Sequence, residues 1–311
     1  MQSLCSRIQS IISKSSYHCS LYKKLTPILF DVSLRDGIQC ASPSDWPTSK
    51  KKDTLDHIIK NYHPQSIELG SLCSHKLLPI MSDTIELYNY AKTMCLRDNI
   101  DCNIYVLIPS IAKLQSAIDY NMTHLSFITS ISNTFQVKNT NMTLSQVKSS
   151  FVKMSEYINC LPNSEVYVKK LYISCINECP ISGKLDNDFV INEILTYNTM
   201  GSFDELCLSD TCGTLQYDEL VYIVDTIHFF GVPLSKISLH LHVSENNLEN
   251  LEHILRYCFR KGICKFDVSM IETGGCSITI KREKLLSNMT YEQFYNILDK
   301  HVNAVVENNS L

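Results

Sequence analysis

Ile237-Ser238-Leu239-His240-Leu241, running on into His242 and Val243, is a short apolar stretch interrupted only by a serine and two histidines. It leads directly into residues 244–261, where Leu248, Leu251, Ile254, Leu255 and Cys258 recur every three or four positions. A short β-rich apolar run followed by a period near 3.6 predicts one strand–helix unit. The unit recurs on both sides. Strands are predicted at Ile28–Val32, Ser66–Leu69, Asn103–Ile108, His124–Ile128, Val166–Ile173, Glu205–Leu208, Ile237–Leu241 and Cys264–Ser269. Helical periodicity fills Lys50–Asn61, Asp83–Arg97, Ser145–Ile158, Tyr217–Phe230 and Ser244–Lys261.

Strands that alternate with helices imply a parallel sheet. Eight such units without a Pro-, Gly- or Ser-rich linker predict an α/β fold, a single-domain (β/α)8 TIM barrel over residues 27–305 with a short tail at 306–311. A doubly wound sheet is the competing architecture, but no G-x-G-x-x-G follows the first strand.

The 311 residues are 44% apolar and 19% charged, a balance that permits a sizeable core. A formal net charge of -4 and the lack of any Lys/Arg-rich run argue against a nucleic-acid partner. No apolar run is long enough to span a bilayer. The 14 cysteines are scattered without a C-x-x-C pair, so they read as reduced thiols of a protein that is not secreted. Residues 1–26 contain Arg7, Lys14, Lys23 and Lys24 and no acid, which fits either a transit leader or an unstructured tail. A mitochondrial matrix or cytoplasmic location follows as the expectation.

Closed barrels carry their chemistry at the C-terminal ends of the strands. Here those ends hold Asp31, Arg35 and Asp36, then Glu68, Asp210, His240 and His242, and finally a Gly274-Gly275-Cys276 loop. Side chains two apart on a strand share a face, so His240 and His242 can reach one ion. With Asp36 they would leave positions open for substrate, as Lewis-acid catalysis requires. Two half-buried histidines with ordinary hydrogen bonds are the alternative. Arg35 would set a permanent planar charge beside oxygens that become anionic, unless it forms a surface ion pair with Asp36. Glu68 and Asp210 fit outer carboxylates that orient ligands, and fit helix caps as well.

The stretch Phe30-Asp31-Val32-Ser33-Leu34-Arg35-Asp36-Gly37-Ile38-Gln39 resembles the first-strand signature of the metal-dependent acyl-CoA lyase and synthase barrels, a group that includes 3-hydroxy-3-methylglutaryl-CoA lyase. Ser74-His75-Lys76 with Pro79, Met81 and Asp83, Tyr172-Ile173-Ser174-Cys175 through Cys179-Pro180, and Leu208-Ser209-Asp210-Thr211 with Gly213 are similar to the lyases in particular. The resemblance implies retro-Claisen cleavage of a 3-hydroxyacyl-CoA to acetyl-CoA and acetoacetate. It implies Mg²⁺ or Mn²⁺ on Asp36, His240, His242 and Asn288, and Arg35 as enolate stabiliser. Cys276 and His240 would move protons, with Asp210 and Glu68 close to the substrate. An acyl-CoA is the expected small-molecule partner, and a homodimer is one assembly left open. Val243 stands where the family has Asp, and the loop around Gly274-Gly275 is poorer in glycine than is usual. These departures keep two other readings in view: a related aldolase or Claisen synthase acting on a 2-oxo acid, and a degenerate barrel with a binding role.

Overall fold

The computed structural model describes residues 26–200, 202–275 and 286–308. The predicted leader, apart from Thr26, and the predicted thiol Cys276 lie outside the described residues. Eight parallel strands form the centre: β1 (Ile28–Asp31), β2 (Ser66–Ser71), β3 (Asn103–Leu107), β4 (His124–Ser130), β5 (Val168–Ser174), β6 (Glu205–Asp210), β7 (Ile237–Val243) and β8 (Lys265–Val268). They pair in chain order, and β8 closes the ring by pairing with both β7 and β1, with Phe266 opposite Leu239 and Asp31 opposite Val268. The fold is the expected (β/α)8 barrel in a single domain.

Helices α1 (Thr48–Tyr62), α2 (Thr84–Asp98), α3 (Ile111–Asp119), α4 (Asn133–Thr140), α5 (Leu144–Asn159), α6 (Asn187–Met200), α7 (Tyr217–Phe229), α8 (Leu248–Lys261) and α9 (Tyr291–Asn308) follow the strands. The local reasons are visible in α5 and α8. Thr143 and Gln146 form a reciprocal capping box that starts α5. On α8 Leu251, Ile254, Leu255 and Cys258 are buried, and Gly262 ends the helix at φ 82. The final helix continues to Asn308, three residues beyond the predicted barrel boundary at 305.

Two details position the rim. Strands β4 to β7 run one or two residues further than periodicity indicates, so Asp210 and His242 sit inside strands rather than after them. After β1 the chain makes one π-turn over Ser33–Gly37, closed by Gly37 N–H on the Val32 carbonyl at 3.0 Å. That wide turn, a device frequent at functional sites, carries buried Arg35 and Asp36 onto the mouth of the barrel. A short strand β9 (Ser287–Asn288) then lies antiparallel on the end of β7, with Asn288 opposite His242.

The barrel interior is not wholly apolar. Lys170 of β5 is fully buried, between Glu205 of β6 at 3.0 Å and Asp267 of β8 at 2.5 Å. Its ammonium also lies 3.6 Å from the centroid of the Phe30 ring.

Candidate metal centre

At the C-terminal rim, Asp36, His240 and His242 bring one ligand atom each within 4.8 Å of one another, and all three are buried. The imidazoles face each other with Nε2 atoms 3.1 Å apart, and each Nε2 is 3.9 Å from Asp36 Oδ2. Their other nitrogens are engaged. His242 Nδ1 lies 3.1 Å from the Leu286 carbonyl oxygen, which only accepts, so the Nδ1 proton points there. His240 Nδ1 lies 3.1 Å from Asp267 Oδ2. Burial, with His240 beside it, pushes His242 down to about 4, so that ring is neutral near pH 7.

With His242 Nδ1 committed to a carbonyl and His240 Nδ1 to a carboxylate, the two Nε2 atoms are left facing one spot between the rings, which suits a shared electrophile. Adjacent donors on an octahedral ion with bonds near 2.1 Å are separated by about 3 Å, close to the observed nitrogen pair. A fourth donor is adjacent. Asn288 gives its amide N–H to Asp36 Oδ2 at 3.0 Å, while its Oδ1 is buried without a hydrogen-bond partner. An orphaned carbonyl oxygen beside a carboxylate and two imidazoles fits a divalent cation. Gly274 permits this packing, since a Cβ there would come within 2.3 Å of Asn288 Nδ2 and 3.1 Å of Asp36 Oδ2.

Arg35 lies beside the donors, buried rather than on the surface. Its Nη1 donates to Asp36 Oδ1 at 2.7 Å and its Nε donates to Glu68 Oε2. Tyr172 holds both partners: its hydroxyl donates to Glu68 Oε2 at 3.1 Å, and its ring centroid lies 4.9 Å from the guanidinium carbon. Burial alone would raise the Asp36 carboxyl, but the Arg35 guanidinium beside it outweighs that and holds the group well below the usual range. Burial likewise opposes the Arg35 charge, and Glu68 and Asp36 more than restore it.

A cavity of about 150 Å³ opens over these groups. Arg35, Asp36, His240, His242 and Tyr172 line it together with Leu78, Leu107, Ile128 and Phe135. Of the residues expected at the site, Asp36, His240, His242, Asn288, Arg35 and Glu68 are brought together. Asp210 takes the capping alternative. Its carboxylate accepts from Thr214 N and Leu215 N, each at 3.1 Å, and so caps the turn after β6. Burial pushes its pKa up to about 6 against those bonds. Ser209 and Thr211, its neighbours, line the cavity instead. Tyr172, Asp267 and Lys170 belong to the site's support, a role that sequence reading did not assign to them. For Asp267 and Lys170 the one signal was a charge inside a strand otherwise read as buried; Tyr172 lay in a stretch similar to the lyases.

Residues 26–247 match the HMGL-like family. The chain is 25% identical over 248 residues to the mitochondrial hydroxymethylglutaryl-CoA lyase of Arabidopsis thaliana, covering 80% of this chain and 50% of that protein. It therefore spans half the length of that relative. It is 25% identical over 251 residues to the 3-hydroxy-3-isohexenylglutaryl-CoA/hydroxy-methylglutaryl-CoA lyase of Pseudomonas aeruginosa, covering 80% and 77% of the two chains. Among solved structures, the HMG-CoA lyase of Acinetobacter baumannii in complex with coenzyme A and 3-methylmalate superposes with a TM-score of 0.74 at 23% identity, covering 90% of this chain and 85% of that one. The likeness to that structure carries the fold alone.

Proposed function

The chain belongs to the HMGL-like family, and from that premise we propose that it is a divalent-cation-dependent carbon–carbon lyase that cleaves a short branched 3-hydroxyacyl-CoA. The type substrate is 3-hydroxy-3-methylglutaryl-CoA, cleaved to acetyl-CoA and acetoacetate. The observation that supports this reading is the convergence of two Nδ1-anchored imidazoles and one carboxylate beside a fully buried guanidinium.

In this reading Asp36, His240, His242 and Asn288 hold the cation, and the mixed oxygen and imidazole set suits Mg²⁺ or Mn²⁺. When bound, the ion acidifies and orients the tertiary hydroxyl of the substrate. The rest falls to side chains and solvent. His240 has its Nδ1 proton held by Asp267 and its Nε2 lone pair committed to the cation, so the hydroxyl proton leaves to water in the open cavity. Loss of that proton drives the electron pair of the breaking carbon–carbon bond into the departing thioester, which becomes an enolate. Arg35, held by Glu68, Asp36 and the Tyr172 ring, keeps the rest of its donor fork for that oxygen. Cys276, beyond the described residues, is the proposed proton donor to the enolate carbon. Asp210 acts on the substrate only indirectly, by shaping the turn that carries Thr211.

The deciding experiment is a coupled assay of acetyl-CoA and acetoacetate release from 3-hydroxy-3-methylglutaryl-CoA, with the protein stripped by chelator and then reloaded with Mg²⁺ or Mn²⁺. Turnover that appears only with metal supports the reading. No cleavage of any short branched 3-hydroxyacyl-CoA under either loading would overturn it.

A further inference from the structure

The interior ion pairs form one continuous string. Lys265 Nζ lies 3.2 Å from Glu205 Oε2, and Lys170 Nζ lies 3.0 Å from Glu205 Oε1 and 2.5 Å from Asp267 Oδ1. Asp267 Oδ2 then accepts from His240 Nδ1 at 3.1 Å. Signs alternate along it, and it runs from half-buried Lys265, the first residue of β8, to a proposed ligand at the rim.

Stability alone is a poor reason for such a string. Barrel interiors are normally filled with layers of branched apolar side chains. Taking charges out of water costs several kcal/mol per ion in real proteins, and packed hydrophobic residues of the same volume are often as good or better. The string ends on the imidazole whose orientation the site needs. Asp267 divides its two oxygens between Lys170 and His240, and Lys170 is itself fixed by Glu205 and by the Phe30 ring.

We infer that Lys170 is a positioning residue for the metal centre: it fixes Asp267 so that the His240 proton stays on Nδ1 and its Nε2 lone pair stays aimed at the ion. The inference rests on the metal-centre reading and is independent of the substrate. Cys207 also approaches Asp267 Oδ2, at 3.7 Å, and a thiol supplies no charge that would replace the ammonium.

The test reads metal affinity and tautomer rather than turnover. Mn²⁺ binding is measured by calorimetry on the full-length protein and on Lys170→Met and Lys170→Arg, with ¹⁵N shifts of the His240 ring recorded without metal. Loss of an outer partner of a ligand weakens metal binding by about 10- to 100-fold, the effect expected for Lys170→Met, with Lys170→Arg recovering most of it. In the unaltered protein the His240 proton is expected on Nδ1. A folded Lys170→Met protein that binds Mn²⁺ as tightly as the parent overturns the inference. So does a parent protein with the proton on His240 Nε2, a result that stands even if Lys170→Met fails to fold. If the parent binds no Mn²⁺, the metal-centre reading falls and takes this inference with it; if it binds Mn²⁺ but cleaves nothing, only the lyase reading falls.

Discussion

His240 and His242 meet Nε2 to Nε2 at 3.1 Å while each commits its Nδ1 proton elsewhere, one to a carboxylate and the other to a backbone carbonyl. Each Nδ1 is therefore engaged before any ligand arrives. The two Nε2 atoms then share the one spot where a cation could join them. Mn²⁺ or Mg²⁺ should raise the thermal midpoint of the chelator-treated protein. The expected gain is about 2.7 kcal/mol at a metal concentration one hundred times the Kd. Asp36→Ala should remove the gain, and scanning calorimetry with and without metal checks it.

Arg35 is tied to two carboxylates and a ring, so its contribution depends on shape as well as charge. Arg35→Lys keeps the charge but cannot bridge Glu68 and Asp36 in one plane. Turnover should fall by about 10²- to 10³-fold, the usual effect of losing one donor to a developing oxyanion. Mn²⁺ affinity should be largely kept, and paired kinetics and calorimetry on the variant separate the two.

Gly274 has no room for a methyl group, since a Cβ would overlap the Asn288 amide. Gly274→Ala should displace Asn288 from Asp36 and weaken Mn²⁺ binding by about tenfold or more, as disturbance around a metal ligand commonly does. The midpoint of the metal-free protein should change little by comparison. Calorimetric titration alongside a thermal melt distinguishes this from general misfolding.

Asp31 gives a pH signature of its own. Burial pushes its pKa up to about 6, against bonds from Ser33 and Tyr291. The folded protein therefore holds this proton more tightly than the unfolded chain does. The stability it contributes is complete below about pH 4 and is lost as pH rises through about 6. A shift from 3.8 to about 6 corresponds to roughly 3 kcal/mol. Denaturant melts from pH 4 to 8 should show the parent losing about that much relative to Asp31→Asn. A constant difference across the range would refute the assignment.

The barrel was legible because each strand is an apolar run of the right length set between turn residues. Helix α4 was missed for a physical reason. The α4 sequence Asn133–Thr140 is mostly polar and buries chiefly Phe135 and Gln136, so it shows almost no apolar stripe. Asp36, His240 and His242 were legible because strand periodicity and rim position alone bring them together. Asp210 was read as a rim acid that could orient ligands or cap a turn, and which of the two it does depends on the amides around it, here those of Thr214 and Leu215. Lys170 and Asp267 were passed over because a single charge inside a strand says nothing of its partner. That partner lies 97 residues away in the chain.

Asp36 Oδ2 accepts from Gly275 N at 2.9 Å and from Asn288 Nδ2 at 3.0 Å, and Thr273 reaches back to the Gly37 carbonyl. The same oxygen is one of the three atoms that converge at the rim. Two equilibria therefore meet on one atom: occupancy by a cation, and the seating of residues 273–275 and 288. Thermodynamic linkage makes their effects mutual, so anything that reseats those residues alters cation affinity by the same factor by which the cation alters their seating. A substrate that presses on Gly275, which lines the cavity, would in this way tune the grip on the ion without touching it.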